Sequence, residues 1–163
     1  CRWLVSPLVA AGVPERQIDV LRPRVMYGYG LCNVIPFELT HNVPNCGYKV
    51  HFRNGKVIYA TDTSNLNGVQ AIGYDLYLIE ANYTEEDIHR RIKEKRMAGE
   101  FAYEEQALRN HLSAEKCTEF LLKNMRGNSV SVPMHVHVDK EAPNDSHREN
   151  PSGGGQEAGG IAG

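Results

Sequence analysis

The stretch YKVHFRNGKVIYAT, residues 48–61, restricts the fold more than any other, because two β-rich runs flank an Asn54-Gly55 pair. Asn and Gly accept positive φ at both central positions of a tight reverse turn, so the pair predicts a two-residue β-hairpin. Counting outward sets Phe52 against Val57, Val50 against Tyr59 and Tyr48 against Thr61. Those residues share one largely apolar face, which is expected to meet the core. Hairpin strands run antiparallel, so the end of the second, at Asp62, lies beside the start of the first, which is reached through THNVPNCG. His41 and Asp62 are therefore distant in sequence and expected close in space. A histidine and a carboxylate converging there make half of a hard-metal site. Taken singly, each has a plainer reading: His41 capping a turn, and Asp62 as an Asx-turn acceptor or the N-cap of TSNLNG.

The rest of the chain supplies the elements of an α/β domain. Residues 3–12 are apolar enough for a short helix that Gly12 and Pro14 would end. QIDVL and PRVMY read as short strands around Pro23, and DLYLIEA, residues 75–81, as a further strand. Thr84 followed by Asp87 resembles a capping box that opens a mostly solvated helix through EEDIHRRIKEKRM. The Arg and Lys side chains of residues 90–96 either touch phosphates or line that solvated face. A second helix starts at Ser113, where Ala114, Cys117, Phe120 and Leu121 fall at helical spacing. VSVPMHVHVD alternates as a strand, with His135 and His137 on the same polar face. From about Glu141 onward Pro, Asn, Ser and Gly dominate, and such a segment buries too little apolar surface to offset its ordering entropy, so a disordered tail is expected.

Composition excludes several classes. A length of 163 residues with 41% hydrophobic content suits one domain. With 18 basic against 20 acidic residues, the net charge of -2 provides no overall field toward nucleic acid or anionic lipid. Four scattered cysteines without a CxxC pair favour free thiols in a reducing compartment, hence a cytoplasmic location. No run of about 18 apolar residues is present, so no membrane association is expected. The opening CRWLVSPLVAAGV, without an initial Met, reads as a start inside a larger protein. YGYG at 27–30 lacks the strand-to-helix context of a phosphate loop.

The wording FELTHNVPNCGYKVHFRNGKVIYATDT, followed by DLYLIEANY, resembles the metallo-β-lactamase fold superfamily. There a His precedes a Gly-Tyr strand and an Asp closes the next strand in a GDT-like turn; here the turn reads ATDT, with Ala60 and Thr61 in place of the small residue and glycine. The resemblance implies an αββα sandwich of mixed sheets with flanking helices, whose loops hold two zinc ions. It implies that His41 binds one metal and that Asp62 bridges both. An oxygen shared by cations about 3.5–4 Å apart must sit at the exposed end of a strand, which is where Asp62 stands.

Within the superfamily, the order of segments is most similar to the ribonuclease Z-like branch and to phage phosphodiesterases of that pattern. IEAN at 79–82, HLS at 111–113 and MHVH at 134–137 stand where the branch has HEAT, HST and its final ligand, with Ile79 replacing the first His of HEAT. By this likeness Glu80 and His111 form an acid–base pair and His135 is the last zinc ligand, although alternation alone does not choose between His135 and His137. The residues themselves also permit an ion pair from Glu80 to an Arg of HRRIKEKR, and a capping role for His111 ahead of the Ser113 helix. The activity implied is that of a nuclease or other phosphodiesterase acting on RNA, DNA or a cyclic nucleotide through metal-bound hydroxide. Homodimers are common among such enzymes. Acyl or lactam hydrolysis on the same centre does not need the Glu80–His111 pair.

The HxHxDH loop that supplies most ligands in the family is absent from these residues. Residues 1–139 therefore match the C-terminal part of such a domain, with 140–163 as a tail. Three retained ligands do not satisfy two zinc ions of about four donors each. The chain is expected to be the C-terminal portion of a dinuclear zinc hydrolase that a missing N-terminal segment completes. The alternative is a degenerate or split module, inactive by itself, that acts by association with another chain.

Overall fold

The computed structural model describes residues 2–136; the expected tail and His137 lie outside them. A 3₁₀ turn at Arg2–Leu4 leads into helix α1 (Val5–Ala10), which ends before Gly12 at a φ of 93°. Strands β1 (Tyr27–Gly28), β2 (Cys32–Leu39), β3 (Asn45–Phe52), β4 (Gly55–Ala60) and β5 (Leu76–Glu80) follow. Three helices come next, α2 (Glu85–Met97), α3 (Glu104–Asn110) and α4 (Ala114–Asn124), and then strand β6 (Val130–Met134). The strands form a six-stranded mixed sheet in sequence order, antiparallel from β1 to β4 and parallel from β4 to β6. Tight turns join the antiparallel strands, whereas the parallel pairs need long crossovers, and all three later helices lie in the β5–β6 crossover. Among the described residues no helix is long and apolar enough to cross a membrane.

Local signals act where they were read. Thr84 caps α2, its hydroxyl accepting the Asp87 N–H at 3.3 Å, and Ser113 caps α4 by accepting from Lys116 N at 3.2 Å. The N-terminal strand assignments need correction. QIDVL holds the end of a 3₁₀ turn, Glu15–Gln17, and then no strand, while PRVMY contributes only the first residue of β1. Pro23 has no N–H to give a ladder, and Arg24 follows it at a φ of 65°. Strand β2 carries Pro36, which in sequence argues against a central strand. Its pairing with β1 covers only Asn33 and Val34, so Pro36 lies beyond that ladder.

The hairpin forms, with its tip moved. Phe52 pairs with Gly55, leaving Arg53 and Asn54 as the turn, and Val50 faces Val57 while Tyr48 faces Tyr59. The cause lies across the sheet: Asp75 accepts the Lys56 N–H on its carboxylate at 2.7 Å and donates its own N–H to Lys56 O at 2.9 Å. That pair draws Gly55 and Lys56 into β4. A shift of two residues keeps the side-chain faces.

The core, however, lies on the other side from the one expected. Ile58, Ala60, Tyr77 and Ile79 are buried against Leu112, Cys117 and Phe120 of the α4 region. Helix α4 covers that side, while α2 and α3 pack on each other around Ile88, Ile92 and Ala102. The opposite face carries Tyr48, Val50, Val57, Tyr59, Leu76, Leu78, Val130 and Val132 in register, none of them buried, and Phe52 is 49% exposed.

Candidate metal centre

Strands β2, β4, β5 and β6 point the same way, so their carboxyl ends share one edge of the sheet. His41 follows β2, Asp62 follows β4, Glu80 ends β5 and His135 follows β6. His111 arrives on the same edge as the residue that ends α3. Strand β6 stops at Met134, and the chain turns at His135 with a φ of 53°. Asp62 has a φ of 57°. Left-handed backbone is costly for residues with a Cβ, and it is retained where the surroundings over-determine it, commonly at functional sites.

Glu80 is the centre of the cluster. Its side chain has no exposure, and Oε1 accepts from His111 Nδ1 at 2.6 Å and from His135 Nδ1 at 2.9 Å. Oε2 accepts backbone N–H groups of Thr63 at 2.8 Å and Leu112 at 3.4 Å. Asp62 Oδ1 lies 3.1 Å from His135 Nδ1 and 3.8 Å from His111 Nδ1. The ligand atoms of Asp62, Glu80, His111 and His135 all fall within 4.8 Å of one another. His41 stands beside this group, its ring 5.1 Å from that of His111, and it donates from Nδ1 to Asn110 O at 3.0 Å.

The plainer alternatives are not what these side chains do. Arg90 and Arg91 pair with Asp87 of their own helix, so Glu80 holds no arginine of α2. His111 is the C-terminal cap residue of α3, while Ser113 caps α4.

Three residues outside the sequence reading fix the loops. Asn45 Nδ2 donates to both Thr61 O and Asp62 O at 3.0 Å. Asn82 Nδ2 donates to His135 O at 3.1 Å. Thr63, fully buried, donates its hydroxyl to Asn65 O at 2.8 Å and accepts the Thr40 N–H at 3.1 Å, tying the His41 loop to the Asp62 loop. Short polar residues outside any periodic pattern give no sequence signal for such roles.

The donor set fits a divalent cation. Two carboxylates and two imidazoles are the hard and borderline donors that zinc and similar ions take, at about 2.0–2.2 Å each. Donors that close to one ion stand no more than about 4.4 Å apart, so the cluster needs only small side-chain adjustments.

No family model matches the chain, and no curated protein does. Among solved structures, the metallo-β-lactamase fold protein YhfI from Bacillus subtilis aligns with a TM-score of 0.53 and 12% identity, over 72% of this chain and 42% of that one. The short form of human tRNase Z, ELAC1, aligns with a TM-score of 0.44 and 16% identity, over 68% of this chain and 38% of that one. The chain thus spans less than half the length of either structure.

Proposed function

On a chain that has one half of the metallo-β-lactamase fold, we propose a metal-dependent phosphodiesterase site whose remaining ligands come from polypeptide outside these 163 residues. The observation that carries the reading is the buried Glu80 carboxylate holding the His111 imidazole at 2.6 Å beside the Asp62–His135 pair. In this assignment Asp62 and His135 of the four-residue cluster, with His41 beside it, would hold the two zinc ions of a completed domain, and Glu80 and His111 would serve as the acid–base pair. Such cations supply Lewis acidity that activates water and neutralises charge on phosphoryl oxygens.

The chain's own residues do the rest. Glu80 Oε1 holds His111 through Nδ1 at 2.6 Å and so positions the imidazole that gives its proton to the departing alkoxide. Water oxygen forms a new bond to phosphorus, the bond from phosphorus to the leaving oxygen breaks, and that oxygen takes the proton from His111. The proton lost by water returns the imidazole to its acid form. Thr63 and Leu112 hold the carboxylate from behind through their N–H groups, so the pair does not reorient during the step. Residues 1–139 then form the second half of the catalytic domain, in the cytoplasm, as a monomer or a homodimer.

The test uses the full protein containing this chain. Metal content is measured, and turnover is followed on bis-p-nitrophenyl phosphate and on a β-lactam. Phosphodiester turnover with bound zinc is expected, and turnover of the lactam alone rejects the reading. Ile79 in place of the family's histidine and the lack of HxHxDH in the chain favour a second reading, a split or inactive module that works by association. A full protein that binds no metal and turns over neither substrate would establish that alternative.

A further inference from the structure

A cavity of about 670 Å³ opens beside the metal centre between α2, α3 and the end of β6. Its volume is within the roughly 300–1,000 Å³ of small-ligand sites. Of the five site residues only His41 and His111 line it; Asp62, Glu80 and His135 do not. The cavity therefore adjoins the proton donor and lies off the cluster of carboxylates.

Its lining carries two carboxylates, Asp87 and Glu104, against one guanidinium, Arg91. Asp87 in the wall takes Arg91 Nη2 at 2.7 Å, and Glu104 takes Lys95 Nζ at 2.6 Å. Among the described residues Glu104 Oε2 is buried without a hydrogen-bond partner, so an anion entering here meets unpaired negative charge, and the site suits a neutral group with N–H or O–H to donate. The remaining surface joins apolar patches, among them Ile88 and Ala107, to amide-bearing Asn82, Asn110 and Gln106. Tyr103 lies at the lining, 69% exposed, held edge-on by Phe101 with ring centroids 4.8 Å apart. An exposed aromatic ring at the lining, braced by a second ring behind it, is a platform on which a flat base stacks.

From this we infer that the cavity seats a nucleoside, the leaving group of the phosphodiester, with its base against Tyr103. The inference rests on the phosphodiesterase reading, because the group whose oxygen His111 protonates must lie on the His111 side. It assigns specificity to α2 and α3. It also separates the roles of the two flanks of the site: metal and phosphate at the sheet edge, and the neutral nucleoside under the helices.

The first test is run with the metal chelated, so that it does not depend on hydrolysis. The isotope-labelled full protein is titrated with adenosine, guanosine, cytidine and uridine, and amide shifts are followed by NMR. Ribose 5-phosphate and inorganic phosphate serve as comparators. Nucleosides are expected to shift residues 81–84, 103–107 and 111, and Tyr103→Ala to weaken binding about fivefold or more while Tyr103→Phe restores it. Tyr103 makes no side-chain capping bond at the start of α3, so its removal spares the helix. No nucleoside binding, shifts elsewhere, an unchanged Tyr103→Ala variant, or tighter binding of either phosphate compound at these residues overturns the inference. The second test compares KM with metal restored: Tyr103→Ala raises it for a dinucleotide and leaves it unchanged for the methyl ester of a nucleoside 5′-phosphate, whose leaving group is methanol. Equal effects on both overturn the inference while leaving the phosphodiesterase reading intact. Nucleoside binding in a protein without phosphodiester turnover overturns that reading and leaves a nucleoside site.

Discussion

Both oxygens of Glu80 are committed, Oε1 to two imidazoles and Oε2 to two backbone N–H groups, on a side chain with no exposure. Removing it strands several donors at once, and each unsatisfied buried group costs about 1–3 kcal/mol. Glu80→Ala is therefore expected to lower the urea midpoint of the chelated protein with an unchanged m value, because the loss is of stability and not of compactness. His111 and Asp62 separate by readout. His111→Ala should retain metal by calorimetric titration and lose about 10²–10⁴-fold in turnover of a dinucleotide, whose alkoxide needs a proton. The loss on bis-p-nitrophenyl phosphate should be far smaller. Asp62→Ala should lose metal, and loss of metal from His111→Ala instead would move that histidine into the ligand set. Asp62, Glu80, His111 and His135, which the fold gathers, stand out in the sequence because ATDT, IEAN, HLS and MHVH keep a recognisable order. Asn45, Asn82 and Thr63 were not, since they act on loops that only folding brings together.

At the scale of single elements, caps and turns show which signals are local. Thr84 and Ser113 bond N–H groups three residues on, and no distant part of the chain is needed to place α2 or α4. The tip of the β3–β4 hairpin behaves differently, because Asp75 claims Lys56 and draws Gly55 into the ladder opposite Phe52. Glycine at 47 is equally non-local. It pairs with Phe37 on β2, and a Cβ there would run into the Phe37 ring and come within 2.8 Å of Tyr59 O. Gly47→Ala is thus expected to destabilise by about 1–3 kcal/mol, seen as a lower thermal midpoint, with Phe37→Leu in the same chain recovering part of the loss. An unchanged midpoint would mean that β2 and β3 part easily, contrary to this packing. Strand β2 itself was hidden by Pro36, whose position beyond the short β1 ladder no single-sequence pattern reveals.

Across the whole molecule, one sheet face is packed under helix α4 and the other is apolar and open. Val130 is 56% exposed and Val132 42%, in register with half-buried Leu76 and Leu78. An apolar surface of this extent drives association in water. The 163-residue chain by itself is expected to sediment as a concentration-dependent oligomer and to bind a hydrophobic dye. Co-expression with the polypeptide that completes the domain should abolish both effects, and a clean, dye-silent monomer would contradict the half-domain reading. What the sequence determined alone was the set of elements whose bonds close within a few residues, together with the order in which His41, Asp62, Glu80, His111 and His135 follow one another. Tertiary structure decided the rest: the hairpin tip, the buried face, and the convergence of four strand ends and one helix end on a single edge. A cap is settled by atoms a turn apart. Which side of a strand is buried depends instead on where a helix more than fifty residues later comes to rest, and alternating apolar residues on both sides leave that choice to packing.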